Sequence, residues 1–254
     1  MLRSAAKNHT RVAVVTDPAD YAEVLAAVRE GGTELPLRAR LAAKAFTQTA
    51  AYDGAIAAYM TSLSEDGNGE GERALFPGTL TLQFEKAYDV RYGENPHQKG
   101  AFYIERGAPD GSLARAESLG AGGKELSFNN LVDVDATLEC VREFEGPAAV
   151  VVKHTNPCGV ATSKSLTEAY TLARAADSLS AFGGIVAVNR PVDLATAEVM
   201  AETFIECVIA PSFEPDALAR LQRKKALRLL ATGAWLGADA PRMHFKRVSG
   251  RPVV

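Results

Sequence analysis

Four short apolar runs punctuate the second half of this chain, at residues 148–153, 184–188, 207–210 and 226–231. Each is too short for a helix. Continuous apolar runs of this length are the pattern of strands buried on both faces. The segments between them space their apolar positions by three and four. Residues 131–145 place Val134, Leu138 and Val141 on one face, and 165–176, 193–204 and 215–224 read as helices in the same way. Ser165-Leu166-Thr167-Glu168 has the form of a capping box. Strands alternating with helices predict an α/β fold, a mostly parallel sheet with flanking helices.

The first part of the chain is patterned differently. Residues 12–15 read as a short buried strand. Asp17-Pro18 then opens a helix with Tyr21, Val24, Leu25 and Val28 on one face, closed by Gly31-Gly32. A longer helix follows over 36–63, about 40 Å if Gly54 leaves it unbroken. Residues 64–73 are polar, acidic and glycine-rich, and nothing in them needs burial. Leu80, Leu82 and Phe84 alternate with polar residues as in a half-buried strand. Residues 91–100 form a loop and 101–105 another strand. The expected organisation is therefore residues 1–63, a linker at 64–78, and a second domain at 79–254.

Composition narrows the function classes. The 254 residues are 47% hydrophobic, enough for a substantial core. A net charge of −3 supplies no global field for nucleic acid or an acidic membrane. The cysteines Cys140, Cys158 and Cys207 are odd in number and far apart, as expected of reduced thiols. No apolar run approaches the roughly 18 residues of a membrane span. The first residues lack the apolar core of a signal peptide. The expected location is the cytoplasm.

Two segments concentrate reactive side chains. Lys153 and His154 stand where an apolar strand meets a turn, and strand ends are where ligands bind in open α/β sheets. The local pattern fits equally a solvated lysine beside a satisfied turn histidine. Residues 91–98 pack Arg91, Tyr92, Asn95 and His97 into one loop, and a rigidly held guanidinium suits a phosphate. Other motifs lead nowhere. Gly120-Ala121-Gly122-Gly123-Lys124 lacks P-loop spacing. His154 and Cys158 supply only two ligands for a zinc site, so no metal is expected, and Cys158 reads as a small turn residue. Arg220, Arg223, Lys224, Lys225 and Arg228 read as cations complementing a helix end on a solvated face.

Taken in order, Arg91-Tyr92-Gly93-x-Asn95-Pro96-His97-Gln98, then Lys153-His154-x-Asn156-Pro157-Cys158-Gly159, then Ser180-Ala181-Phe182-Gly183-Gly184 resemble the bifunctional AICAR transformylase/IMP cyclohydrolase family of purine biosynthesis. Residues 3–9, 42–53, 206–211 and 245–247 extend the likeness, which covers essentially the whole chain outside the linker.

The resemblance implies formyl transfer from 10-formyltetrahydrofolate, as formyl-donor cosubstrate, to the 5-amino group of AICAR. Cyclisation of the product FAICAR to IMP follows with loss of water. It implies a cytidine-deaminase-like transformylase subdomain after the helical tail of a methylglyoxal-synthase-like cyclohydrolase domain. His154 would be the general base, Lys153 would stabilise transition-state charge, and Lys7 would donate or accept the proton in ring closure. Arg91, Tyr92, Gly183 and Glu206 would bind AICAR, while Asn95, His97 and Asn156 shape loops. A homodimer is implied, since family transformylase sites draw on two subunits. By the same likeness the chain reads as an internal piece, with little or no activity expected of it alone. A non-catalytic nucleotide-binding or assembly module is the alternative, and a zinc-dependent deaminase-like hydrolase a weaker one.

Overall fold

The computed structural model describes residues 1–63, 73–122, 125–237, 245–248 and 251–253. The glycine-rich stretch at 64–72 and the end of the glycine motif, Gly123-Lys124, lie outside the described residues. The chain divides into two compact units, Met1–Gln83 and Phe84–Val254.

The first unit is helical, with α1 at Leu2–Lys7, α2 at Tyr21–Arg29 and α3 at Leu35–Ser62. Asp17 caps a short 3₁₀ turn at Pro18–Asp20 by accepting from the Ala19 amide at 2.9 Å, which leads into α2. Gly31 and Gly32 leave the helix at φ of 113° and 133°, a region glycine enters without a β-carbon penalty. Two expectations need correction. Residues 12–15 form no strand, and only Val14 is buried, against Ala6, Ala42 and Ala45. The face of α2 bearing Tyr21, Leu25 and Val28 is exposed rather than packed.

Helix α3 runs unbroken through Gly54. Residues 74–83 return along it: the Thr79 amide donates to Thr61 Oγ1 at 3.0 Å and Gln83 Nε2 to the Thr47 carbonyl at 3.2 Å. Thr81 lies so close that a β-carbon at Gly54 would stand 2.8 Å from its methyl group. Leu80 and Leu82 are thus not part of a strand; the next strand begins at Phe84.

In the second unit, β1 (Phe84–Val90) and β2 (Gly100–Glu105) form an antiparallel ribbon. After β3 (Glu117–Ser118) come α4 (Phe128–Arg142), β4 (Ala148–Lys153), β5 (Asn156–Thr162), α5 (Leu166–Ala176), β6 (Ile185–Val188), α6 (Leu194–Ala201), β7 (Cys207–Ala210), α7 (Pro215–Gln222) and β8 (Arg228–Ala231). A last antiparallel pair is β9 (Lys246–Val248) with β10 (Arg251–Val253).

The main sheet has six strands in the order β3-β8-β7-β6-β4-β5. Successive side chains point to opposite faces, so each apolar run feeds two cores. Ala149, Val151, Val186, Val188, Val208 and Leu229 pack against α5, α6 and α7. Val150, Val152, Ile185, Ala187, Ile209 and Leu230 pack against Val134, Leu138 and Val141 of α4. Burial on both sides is why these strands show no polar alternation.

The mostly parallel sheet is not what forms. Only β6–β7 and β7–β8 pair in parallel, whereas β4–β5, β4–β6 and β3–β8 are antiparallel. The expected alternation survives in direction, since β5 to β8 all run the same way. Strand β4 is inserted against them between β5 and β6, because a two-residue turn at His154-Thr155 folds the chain back at once. Strand β5 was hidden by Pro157 and Gly159, which look like turn residues. Proline is tolerated there because β5 is an edge strand with no ladder bond to lose on one side.

Candidate functional site

The chain reverses between Lys153 and Asn156, which face each other across the hairpin. His154 and Thr155 form its tip at φ of +54° and +62°. Two positive φ values are what a two-residue primed turn requires, and Asn-Gly is its usual sequence. Neither residue here is glycine, and Thr155 is β-branched. Such positions store about 1–3 kcal/mol each and persist only where the surroundings impose them. Three hydrogen bonds do so. Thr155 Oγ1 and Asn156 Nδ2 each donate to the His154 carbonyl at 2.7 Å, and the Thr155 amide donates to Asp133 Oδ1 of α4 at 2.7 Å. The His154 side chain is exposed, and its ring has no hydrogen-bond partner among the described residues.

Lys153, half-buried, donates from Nζ to the Phe182 carbonyl at 2.8 Å. The next residue, Gly183, sits at φ +71° and donates its amide to the Phe204 carbonyl at 2.9 Å. A β-carbon there would be strained by the backbone and would press on the Phe204 ring at 3.3 Å. The amide of Glu206 in turn donates to the Gly184 carbonyl at 3.1 Å. Lys153, Gly183 and Glu206 are thus three stations along one sheet edge. That edge is the carboxyl end of β4 but the amino end of β6, β7 and β8, because β4 runs against them. The expected carboxyl edge of a parallel sheet is corrected accordingly.

The Glu206 carboxylate accepts from Asn130 Nδ2 at 3.0 Å and lies 3.6 Å from Arg228 Nη1. Arg228 is 7% exposed. It begins β8 and also donates from Nε and Nη2 to the Glu125 carbonyl, each at 3.2 Å. Its assignment to a solvated cationic helix end is therefore wrong. Of that group, Arg220 pairs with Glu198 at 2.8 Å and Lys224 donates to the Thr203 carbonyl. Burial and then the neighbouring Arg220 charge hold the Lys224 ammonium below its ordinary value.

Arg91 and Tyr92 leave β1 beside the amino end of α4. The Arg91 amide donates to the Leu126 carbonyl at 3.0 Å and the Phe128 amide to the Tyr92 carbonyl at 3.2 Å. Ser127 caps α4 through a reciprocal pair with Asn130. Arg91 lies over the Tyr92 ring at 4.7 Å and donates from Nη2 to the phenol oxygen at 3.1 Å. That bond, and a second with Ser127, hold the Tyr92 phenol below its ordinary value against the opposing effects of burial and the Glu206 charge. Tyr92 therefore senses Arg91 and Glu206 together. The loop beyond is shaped by Asn95, whose amide donates to Gln98 Oε1 at 2.9 Å.

Six of the seven candidate residues belong to this second unit. Lys7 ends α1 of the first unit and is exposed. A cleft of about 260 Å³ adjoins the Glu206 end, lined by Tyr88, Glu125, Leu126 and Arg228 among others. A smaller one of about 70 Å³ lies beneath Phe182, with Tyr170, Arg174 and Thr203 in its wall. Among the described residues no group of three or more His, Cys, Asp or Glu is placed to hold a metal ion. Cys158 is in β5 rather than a turn, with its thiol toward the Val151 carbonyl at 3.4 Å. No helix among the described residues is long and apolar enough to cross a membrane.

Sequence reasoning missed Asn130, Asp133 and Arg228. Ser127-x-x-Asn130 is a capping signal only when Asn is admitted beside Glu and Gln at its last position. Nothing local marks Asp133 or Arg228.

An α/β layer protein with a guanidinium–phenol pair beside a helix end, and a carboxylate and a lysine–histidine turn on one sheet edge, has the groups of a small-molecule anion and group-transfer site. The chain belongs to the AICARFT/IMPCHase bienzyme family, which it matches over residues 5–254. It is 66% identical over 256 residues to the bifunctional purine biosynthesis protein PurH of Sorangium cellulosum (strain So ce56), an alignment covering 100% of this chain and 49% of that protein. The chain thus spans about half the length of the curated relative it matches.

Proposed function

We propose that this chain takes part in de novo purine biosynthesis, carrying residues for formyl transfer to AICAR and for closure of FAICAR to IMP. Its first unit is read as part of a cyclohydrolase domain and its second as part of a transformylase domain with a cytidine-deaminase-like subdomain. The observation that carries this reading is the hairpin tip. It holds His154 clear of other partners beside Lys153, on the sheet edge that also bears Gly183 and Glu206.

An aromatic amine conjugated to a carboxamide is a weak nucleophile. His154 removes its proton as nitrogen bonds to the formyl carbon. Lys153, held by the Phe182 carbonyl, stabilises the oxyanion that develops there. The tetrahedral species collapses by breaking the bond to the folate nitrogen, which leaves as tetrahydrofolate with a proton. Arg91 takes the nucleotide phosphate, and Tyr92, Gly183 and Glu206 orient the rest of AICAR. In ring closure the carboxamide nitrogen attacks the formyl carbon and water leaves, with Lys7 moving the proton. The protein works in the cytoplasm as a homodimer, with 10-formyltetrahydrofolate as the formyl donor.

Calorimetry with AICAR, with and without folate, tests the reading. Arg91→Ala should weaken binding about tenfold or more, the worth of a charge-assisted hydrogen bond. In a full-length context, His154→Ala should leave binding nearly intact while lowering formyl transfer by about 10²–10⁴-fold. A loss of only a few-fold would remove His154 as the base. Nucleotide binding without any transfer would favour a non-catalytic binding module.

A further inference from the structure

One helix end touches several parts of the candidate site in the second unit. Leu126 and Phe128 hold the backbone of Arg91 and Tyr92, and Asn130 bonds Glu206. Three residues further along, on the same face of α4, Asp133 accepts the Thr155 amide at 2.7 Å. The other two bonds of the turn come from the hairpin's own Thr155 and Asn156. Asp133 supplies the one from outside it among the described residues.

We infer that Asp133 is a positioning residue for His154: its carboxylate oxygen holds the left-handed His154-Thr155 turn and so aims the imidazole. The role rests on the reading of His154 as the base. A turn with two non-glycine residues at positive φ relaxes to other conformations unless an external acceptor fixes it. Asp133 is that acceptor, and α4, packed on the sheet through Val134, Leu138 and Val141, is the rigid support behind it. The same rail that sets Glu206 through Asn130 thereby sets His154, so nucleotide contacts and base share one reference frame.

The test compares Asp133→Ala, Asp133→Asn and the double variant Asp133→Ala/Thr155→Gly by nuclear magnetic resonance of the whole chain. The chain has four histidines, so the His154 ring signal is identified by its loss in His154→Ala. Asp133→Ala should speed hydrogen exchange at the Thr155 amide about tenfold or more and shift the His154 ring signal. Asp133→Asn keeps an acceptor oxygen and should stay close to the parent. Glycine at 155 carries no left-handed penalty and should restore the ring signal in the double variant. Where turnover is measured, Asp133→Ala should lower kcat and leave KM for AICAR unchanged. An unchanged Thr155 amide and His154 ring in Asp133→Ala overturns the inference, as does Asp133→Asn behaving like Asp133→Ala. Should Asp133→Ala unfold, a double variant that is still unfolded also overturns it. These spectra need no turnover, so they stand apart from the test of His154 as a base.

Discussion

Gly159 offers the sharpest structural test, because its neighbour cannot move aside. It lies in β5 opposite Val151, against α5. A β-carbon built there would stand 1.8 Å from the Ala173 carbonyl oxygen and 2.7 Å from its carbon. Close carbon–oxygen contacts settle at about 3.3 Å, so Gly159→Ala requires α5 and β5 to separate by about 1.5 Å. The obstacle is main chain, and no rotamer change relieves it. Overpacking costs about 1–3 kcal/mol even where side chains can adjust. Moving α5 also draws Leu166, Ala169, Tyr170 and Ala173 out of the core. Burial of a leucine-sized side chain contributes about 1.5–3 kcal/mol. The expected loss is about 3 kcal/mol or more. With a urea slope of about 1–3 kcal/mol per molar, the unfolding midpoint should fall by about 1–3 M. Gly146→Ala is the control, since nothing lies within 4 Å of its β-carbon position and its φ is not positive. A Gly159→Ala midpoint equal to that of the control would refute the packing argument. The result matters for function too, since β5 is the second leg of the hairpin that carries His154.

Other tests follow from the electrostatics. Arg91→Ala removes the main influence lowering the Tyr92 phenol, so its ultraviolet titration should move up toward the ordinary tyrosine value; an unmoved curve means the pair does not form. Burial pushes the Cys207 thiol up to about 12. The unfolded chain therefore releases this proton from about pH 8.5 upward while the folded chain keeps it. The stability that Cys207 contributes is fully present below that pH and is lost as pH rises toward its folded value, by up to about 1.4 kcal/mol per pH unit. Denaturant midpoints measured at about pH 8 and about pH 10 should differ less in Cys207→Ala than in the parent. Equal slopes would show that the thiol is not sequestered.

Much of the fold was legible because burial leaves a local record. The runs at 148–153 and 207–210 are strands with those bounds, and Ser165 caps α5 by accepting from the Glu168 amide at 3.2 Å. The motif at 91–98 is a loop held by its own hydrogen bonds, as its turn residues suggested. Arg228 was misread for a physical reason: charge and position in a basic run say nothing of a strand start whose guanidinium is enclosed by two carbonyls and a carboxylate. The turn after Lys153 was expected, but not the return strand β5, because Pro157 and Gly159 read locally as turn residues.

That α4 to α7 are helices and β4, β6, β7 and β8 buried strands was determined by the sequence alone, since hydrophobic period and caps act within a few residues. The direction of β4, the amino-end location of the site edge, and the meeting of Arg91 and Glu206 at one helix end were decided by tertiary structure. Those features depend on contacts between groups dozens of positions apart, such as Thr155 with Asp133 and Asn130 with Glu206. Only the packed sheet brings such groups within hydrogen-bond reach, and no local pattern encodes that distance.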